Sequence, residues 1–283
     1  MKLIQAAVTI SLTCLLLILG TLEVGLRWKS KVSTAAVVTG TASEFDAPIF
    51  DMTHYTLVYN RSNMRTAKVN TNSLGFRGTR ELPPTKSSSV KRVFVLGGSA
   101  AVGMNASSDE TTMPAQLEQF LNQHVGEKVE VFNAACAGFH STQDLILLST
   151  KILSLNPDLI VVFGGGTDLN LSMFPNWSPG HHELMRAFEG QVTHPWYEHS
   201  HLYRRLSEVR SRTRKPVPPT GTFHPEAVAT YLTNVSRMAA LSTGLNVPIV
   251  FVLQPALAVS HKVKTPREEQ LIEEMLARGQ MPK

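Results

Sequence analysis

Residues 93–103 read Val93-Phe94-Val95-Leu96-Gly97-Gly98-Ser99-Ala100-Ala101-Val102-Gly103, an apolar run that ends in Gly-Gly-Ser. An unbroken set of β-branched and aromatic residues, with no polar alternation, describes a strand buried on both faces, as in a parallel sheet. Gly97 and Gly98 then permit a sharp turn that leaves Ser99 at the carboxyl end of the strand with its hydroxyl free. The segment from Asp109 to Asn122 places Met113, Leu117, Phe120 and Leu121 on one side and predicts a helix. Strand, tight turn, serine and helix is how α/β hydrolytic enzymes present a nucleophile, with a helix N-terminus favouring nearby negative charge. Gly-Gly-Ser in a plain strand-to-helix turn is the alternative on this stretch alone.

Three further apolar runs extend the pattern. Val129-Glu-Val-Phe-Asn-Ala-Ala-Cys-Ala-Gly138 is a short strand that ends in small residues. Pro157-Asp-Leu-Ile-Val-Val-Phe-Gly-Gly-Gly-Thr-Asp168 is another, closed by a glycine run and Thr-Asp. Pro248-Ile-Val-Phe-Val-Leu-Gln-Pro255 is a fourth, and helices are predicted over Pro225 to Ser242 and Thr265 to Arg278. The first of these helices is expected to turn Val228, Tyr231, Leu232, Val235, Met238 and Ala239 toward the sheet, and the second carries Leu271, Ile272, Met275 and Leu276 on one side. Strands alternating with helices predict an α/β chain, a three-layer α/β/α sandwich on a parallel, flavodoxin-like sheet. Glycines and small polar residues gather at the carboxyl ends of successive strands, the edge where open α/β sheets bind ligands.

In these blocks the chain resembles the SGNH (GDSL-like) hydrolases, and specifically membrane-anchored bacterial members. The resemblance implies a serine esterase, with Ser99 as nucleophile and its own N–H as one oxyanion donor. Gly138 matches the second-block glycine, whose N–H would be another donor. Thr167 stands where the family places an asparagine; its hydroxyl can donate, but it is shorter and can bond locally instead. Loss of one such donor typically costs about 10²–10³ in turnover. Asp168 matches the aspartate that follows, a loop-holding residue. The implied activity is hydrolysis or transfer of an acyl ester, extending to acylated glycans, with no cofactor.

The family's Asp-x-x-His, which supplies base and orienting carboxylate after the final strand, has no counterpart following Ser99. Asp51-Met-Thr-His54 lies before the first strand, and His224 and His261 are isolated. Serine without a base is a poor nucleophile. The fold is therefore expected to lack its last strand, as a C-terminally truncated copy with impaired activity. The rival explanation is a natural pseudoenzyme, a non-catalytic anchored module that binds glycan or assists assembly.

The other strong signal is the N-terminus. Leu3 to Leu22 carries no charge, and about 20 apolar residues suffice to cross a bilayer. Arg27, Trp28, Lys29 and Lys31 would sit at the interface. A cleaved signal peptide is the alternative, but no small-x-small site follows closely. Counted alone, the flanking charges place the body in the cytoplasm; the resemblance implies the periplasmic side of the inner membrane. The expected organisation is an anchor at 1–28, a juxtamembrane segment and linker at 29–90, and the hydrolase-like domain at 91–283.

Composition narrows the remainder. The 283 residues carry a formal net charge of +5, with 27 Lys and Arg against 22 Asp and Glu. The one dense basic cluster, Arg210-Ser-Arg-Thr-Arg-Lys215, precedes Pro216-Val-Pro-Pro219 and reads as a solvated loop. It has no interleaved aromatics, so no nucleic-acid partner is expected. The two cysteines, Cys14 and Cys136, imply neither a disulfide framework nor a zinc site. Asn72-Ser-Leu-Gly-Phe-Arg-Gly78 resembles the lead-in of anchored SGNH proteins. There Phe76 can pin the segment to the domain, while Arg77 either binds an anionic substrate group or forms a surface ion pair. Asn170 to Pro219 is an irregular insertion, with His181, His182, His194, His199 and His201 beside Trp177, Trp196 and Tyr197. It is either a substrate-contacting lid or a surface excursion, and nothing in its spacing brings metal ligands together.

Overall fold

The computed structural model describes residues 2–38, 49–53, 55–174, 177–179, 192–193, 200–203, 205–206, 223–255 and 261–277. The uncharged N-terminal run forms one long helix, α1 (Lys2–Val38). Within it Thr9–Lys29 is 21 residues at a mean hydropathy of 2.0, with none of it buried in the protein. This segment is long and apolar enough to span a membrane. Thr9, Thr13 and Thr21 return their hydroxyls to carbonyls one turn earlier, which masks their polarity along the helix.

After α1 the described chain resumes in an antiparallel pair, β1 (Phe50–Thr53) and β2 (Leu57–Asn60). It continues through β3 (Val90–Gly97), a single turn α2 (Ser99–Val102), α3 (Met113–His124), β4 (Lys128–Asn133) and α4 (Ser141–Thr150). Then come β5 (Leu159–Gly164), α5 (Gly166–Leu171), the short β6 (Val192–Thr193), α6 (Pro225–Gly244), β7 (Ile249–Leu253) and α7 (Pro266–Ala277). The main sheet is parallel throughout, in the order β4-β3-β5-β7, and β6 pairs with β1 in a second small sheet. This is a flavodoxin-like order, with the first strand of the sheet, β3, at its interior. Right-handed crossovers put α3 on the face opposite α4 and α6; α3 packs on β4, and α4 packs on α6. The expected α/β/α sandwich is what forms.

Phe94, Val95 and Leu96 of β3 are fully buried. Phe94 stacks on Phe132 of β4 at 5.5 Å between ring centres and meets Phe76 edge-on at 5.8 Å. At about 25 cal/mol per Å² of apolar surface, such rings dominate the stabilisation of the core. Phe76, Phe50, Val58 and Tyr59 belong to that same core. Residue 90 therefore marks no edge of it: much of the segment expected as juxtamembrane linker packs into the domain.

Two helices depart from expectation. The one predicted from Asp109 begins at Met113, because Asp109 is occupied by Arg77 and Asn70, and Pro114 sits in the first turn, where a missing N–H costs nothing. In α6 the buried residues are Ala227, Asn234, Met238 and Ser242, whereas Val228 and Leu232 are more than half exposed. The helix is rotated because Asn234 points inward to donate to Ser141 Oγ and Thr142 Oγ1, both at 3.0 Å. At the end of the sheet β7 has only one neighbour, β5, and leaves Val250, Val252 and Leu253 exposed among the described residues.

Candidate active site

Ser99 is the first residue of α2, reached through two glycines that nothing larger could replace. Gly97 has φ 137°, and a Cβ there would lie 2.0 Å from the Phe163 carbonyl oxygen of the neighbouring strand. A Cβ on Gly98 would lie 2.8 Å from Thr167 Oγ1 and 2.9 Å from the Phe139 carbonyl oxygen. Both turns need a bare backbone because three strand ends converge there. Ser99 emerges exposed, and its hydroxyl has no hydrogen-bond partner among the described residues. Its carbonyl accepts from Gly103 and Met104 N–H, which fixes the turn from below.

The contacts of Gly98 are also what join the three sequence blocks. Phe139, next to Gly138 (φ 83°), comes from the loop after β4, and Thr167 comes from α5 after β5. Ser99, Gly138 and Thr167 are thus gathered at one edge of the sheet. The Thr167 hydroxyl makes no hydrogen bond among the described residues, so the local bonding open to a threonine does not consume it.

Asp168 is turned to the second block. Its carboxylate accepts from Ser141 N–H, at 3.2 and 3.1 Å, and from Ser141 Oγ at 2.5 Å. These bonds occupy orphan groups at the start of α4. The N-cap itself is His140, whose Nδ1 accepts from Thr142 N–H at 3.3 Å while Gln143 Oε1 accepts from His140 N–H. This is a capping box built on an imidazole in place of the usual hydroxyl.

Beneath these loops Asp144 of α4 is buried, and its Oδ1 has no partner among the described residues. Burial pushes its carboxyl well above the ordinary range, the Asp168 charge adds to that, and a backbone bond from Gly97 opposes it. The neutral acid is the form this environment favours. Sequence reading missed Asp144, His140 and Ser141. The signal was His140-Ser141-Thr142-Gln143-Asp144 directly after the glycine: polar residues where a strand-end loop enters a helix.

No described histidine hydrogen-bonds the Ser99 hydroxyl. With its Nδ1 lone pair committed to Thr142, neutral His140 carries its proton on Nε2 and has no free acceptor. His224 stands at the N-cap position of α6 without a side-chain capping bond and stacks on Trp177 at 6.0 Å, and His261 is exposed. His54, His181, His182, His194 and His199, with Trp196 and Tyr197, lie outside the described residues. Cys136 is fully buried and burial pushes its thiol pKa up, which removes it as a nucleophile. A small cleft between His140, Asp168, Leu171 and Trp177 borders the site.

Arg77 does not await an anionic substrate, nor is its ion pair on the surface. Its buried guanidinium binds Asp109 at 2.8 Å, the Val102 and Gly103 carbonyls at 3.1 and 2.5 Å, and the Lys68 carbonyl at 2.9 Å.

No family model and no curated protein matches the chain. Solved structures similar to it include AlinE4, described as an SGNH-hydrolase family esterase, at 20% identity and a TM-score of 0.29, over 68% of this chain and 96% of that one. A lipase/acylhydrolase from Enterococcus faecalis is 18% identical with a TM-score of 0.29, over 66% and 96%. A mutant acetyl-xylooligosaccharide esterase from Geobacillus Stearmophilus is 12% identical with a TM-score of 0.32, over 67% and 93%. These likenesses are remote, and the functional reading rests on the residues described above. By its own strand order and blocks the chain is an α/β protein whose fold resembles that of SGNH hydrolases.

Proposed function

We propose that this chain is a serine acyl-ester hydrolase of the SGNH kind, held at the inner membrane by α1 with its domain on the periplasmic side. The observation that supports it is the exposed Ser99 hydroxyl at the end of β3, without a hydrogen-bond partner among the described residues, with Gly138 and Thr167 gathered beside it. Ser99 Oγ would attack the ester carbonyl, its proton passing to a base and the alcohol leaving to give an acyl-serine that water then cleaves. Ser99 N–H, Gly138 N–H and the Thr167 hydroxyl would hold the oxyanion. Asp168, through Ser141, would hold the second-block loop in place. Acylated glycans are within the substrate class, and no cofactor is required.

We infer that turnover is feeble because no Asp-x-x-His follows Ser99 in the sequence, and the same gap supports a second reading, a non-catalytic anchored module. A fluorophosphonate probe separates the two, since it reports a reactive serine without needing full turnover. Covalent labelling of Ser99, lost in Ser99→Ala, is expected for the hydrolase. An unlabelled chain that binds acylated glycan saturably would favour the module.

A further inference from the structure

Glu23 is the one acidic residue in the apolar part of α1, Thr9–Lys29. Counted from either end of that run, it falls near the membrane boundary. It is the first charge after Leu3 to Leu22, and it stands about 9 Å along a helix before Lys29. A carboxylate at that depth has lost part of its water and needs partners within the protein.

The structure supplies four. Arg27 Nε donates to Glu23 from the next turn of α1 at 2.8 Å. The others come from the insertion that follows α5: Ser200 Oγ donates at 2.9 Å, and the His201 and Leu202 N–H groups at 2.8 Å each. Ser200 Oγ also accepts from Tyr203 N–H at 3.1 Å. Residues 201–203 and 205–206 are helical. Glu23 and Ser200 therefore satisfy the opening N–H groups of a short helix, which have no partner inside it. The contact also marks α1, where Glu23 and Leu26 share a face and are the only residues of 9–29 that are partly covered.

What the docked segment turns outward suits lipid better than water. Tyr203 and Leu206 are 44% and 62% exposed, and Trp28, on the adjacent turn of α1, is 75% exposed. Aromatic and aliphatic side chains settle at the membrane–water interface, about 5–10 Å into the boundary between headgroups and acyl chains. Glu23 lies at that level. The same insertion joins the domain through β6, which pairs with β1.

We infer that residues 200–203 and 205–206 form an interfacial foot, held by Glu23 in the headgroup layer on the domain's side of the bilayer and touching phospholipid through Tyr203 and Leu206. The foot gives the domain a second attachment to its anchor and sets its height above the membrane. This rests on α1 as a membrane span and is independent of the esterase reading.

The test uses the full chain with Cys14→Ser, buried Cys136 being left in place. A nitroxide is attached through Leu206→Cys or, separately, Leu16→Cys, in nanodiscs of phosphatidylcholine and phosphatidylglycerol. Relaxation by oxygen, which enters lipid, against relaxation by a water-soluble nickel chelate reports the depth of each label. Both labels are expected to favour oxygen, the one at 206 less than the one at 16. Glu23→Leu keeps α1 apolar and should return the 206 label to the ratio of a label free in water, with the 16 label unchanged. Glu23→Gln, which still accepts hydrogen bonds, should shift it less and serves where the leucine variant fails to fold. A 206 label in water beside a 16 label in lipid would overturn the inference. So would a 206 label that stays in lipid, unmoved, in both Glu23 variants. A 16 label in water would sink the anchor itself, and the foot with it.

Discussion

The Asp168 carboxylate bonds both the backbone N–H and the hydroxyl of Ser141, joining the turn after β5 to the first residue of α4. Ser141 Oγ in turn accepts from Asn234 of α6 at 3.0 Å. One carboxylate thus ties three elements behind the site. Asp168→Ala would leave two Ser141 donors unpaired at a helix start, a loss of about 1–3 kcal/mol. Urea unfolding should show a lower midpoint with an unchanged slope, and fluorophosphonate labelling of Ser99 should slow in parallel. A midpoint equal to that of the unmutated chain would remove the structural role.

Gly98→Ala is expected to be disproportionately harmful for one methyl group. That methyl has to displace Thr167 Oγ1 and the Phe139 carbonyl, both under 3.0 Å away. Overpacking of this kind costs about 1–3 kcal/mol. The cost falls where the three blocks meet, so labelling of Ser99 should drop more than thermal stability does. Equal labelling at a lower melting temperature would mean that the convergence is mere packing.

Asp144 predicts a pH dependence with a definite sign. Its folded pKa is raised, so the folded state holds the proton where the unfolded chain, at about 4, has released it. The unfolded state then binds fewer protons, and stability falls as pH rises from about 4 toward the raised folded value. Asp144→Asn keeps the shape and has no charge to lose. Its melting temperature should exceed that of the unmutated chain at pH 8, with the gap narrowing toward pH 4. A constant gap across that range would show that Asp144 does not titrate in the fold.

Arg77→Met should be among the most damaging substitutions away from the serine. It takes the guanidinium from the half-buried Asp109 carboxylate, which keeps only Asn70, and from three carbonyls, and removing one partner of a buried ion pair costs about 3–5 kcal/mol. The double variant Arg77→Met, Asp109→Asn should recover part of that loss in denaturant titrations. No recovery would mean that the carbonyl contacts, and not the ion pair, carry the stability.

The sheet was legible because its strands are written as short unbroken apolar runs that end in glycine, which leaves few other structures open. The position of Ser99 at the end of β3 was legible for the same reason: the glycines before it serve closeness. What stayed hidden depends on tertiary contact. The inward face of α6 was misjudged because Asn234 outranks Val228 and Leu232 once Ser141 is there to receive it. The start of α4 was unread because histidine is not a customary cap. The stretch over 50–59 was left in the juxtamembrane segment since its buried residues, Phe50, Val58 and Tyr59, are spaced irregularly and acquire a common core only when folded against β3 and β4.

The outer flank of β7 has a practical consequence in solution. A strand with no second neighbour among the described residues, and with Val250, Val252 and Leu253 exposed, is a template for adding strands from other molecules. A flank open in this way makes self-association rise with concentration. Aggregation of this origin responds to a lysine placed on that edge more than to any change of buffer charge.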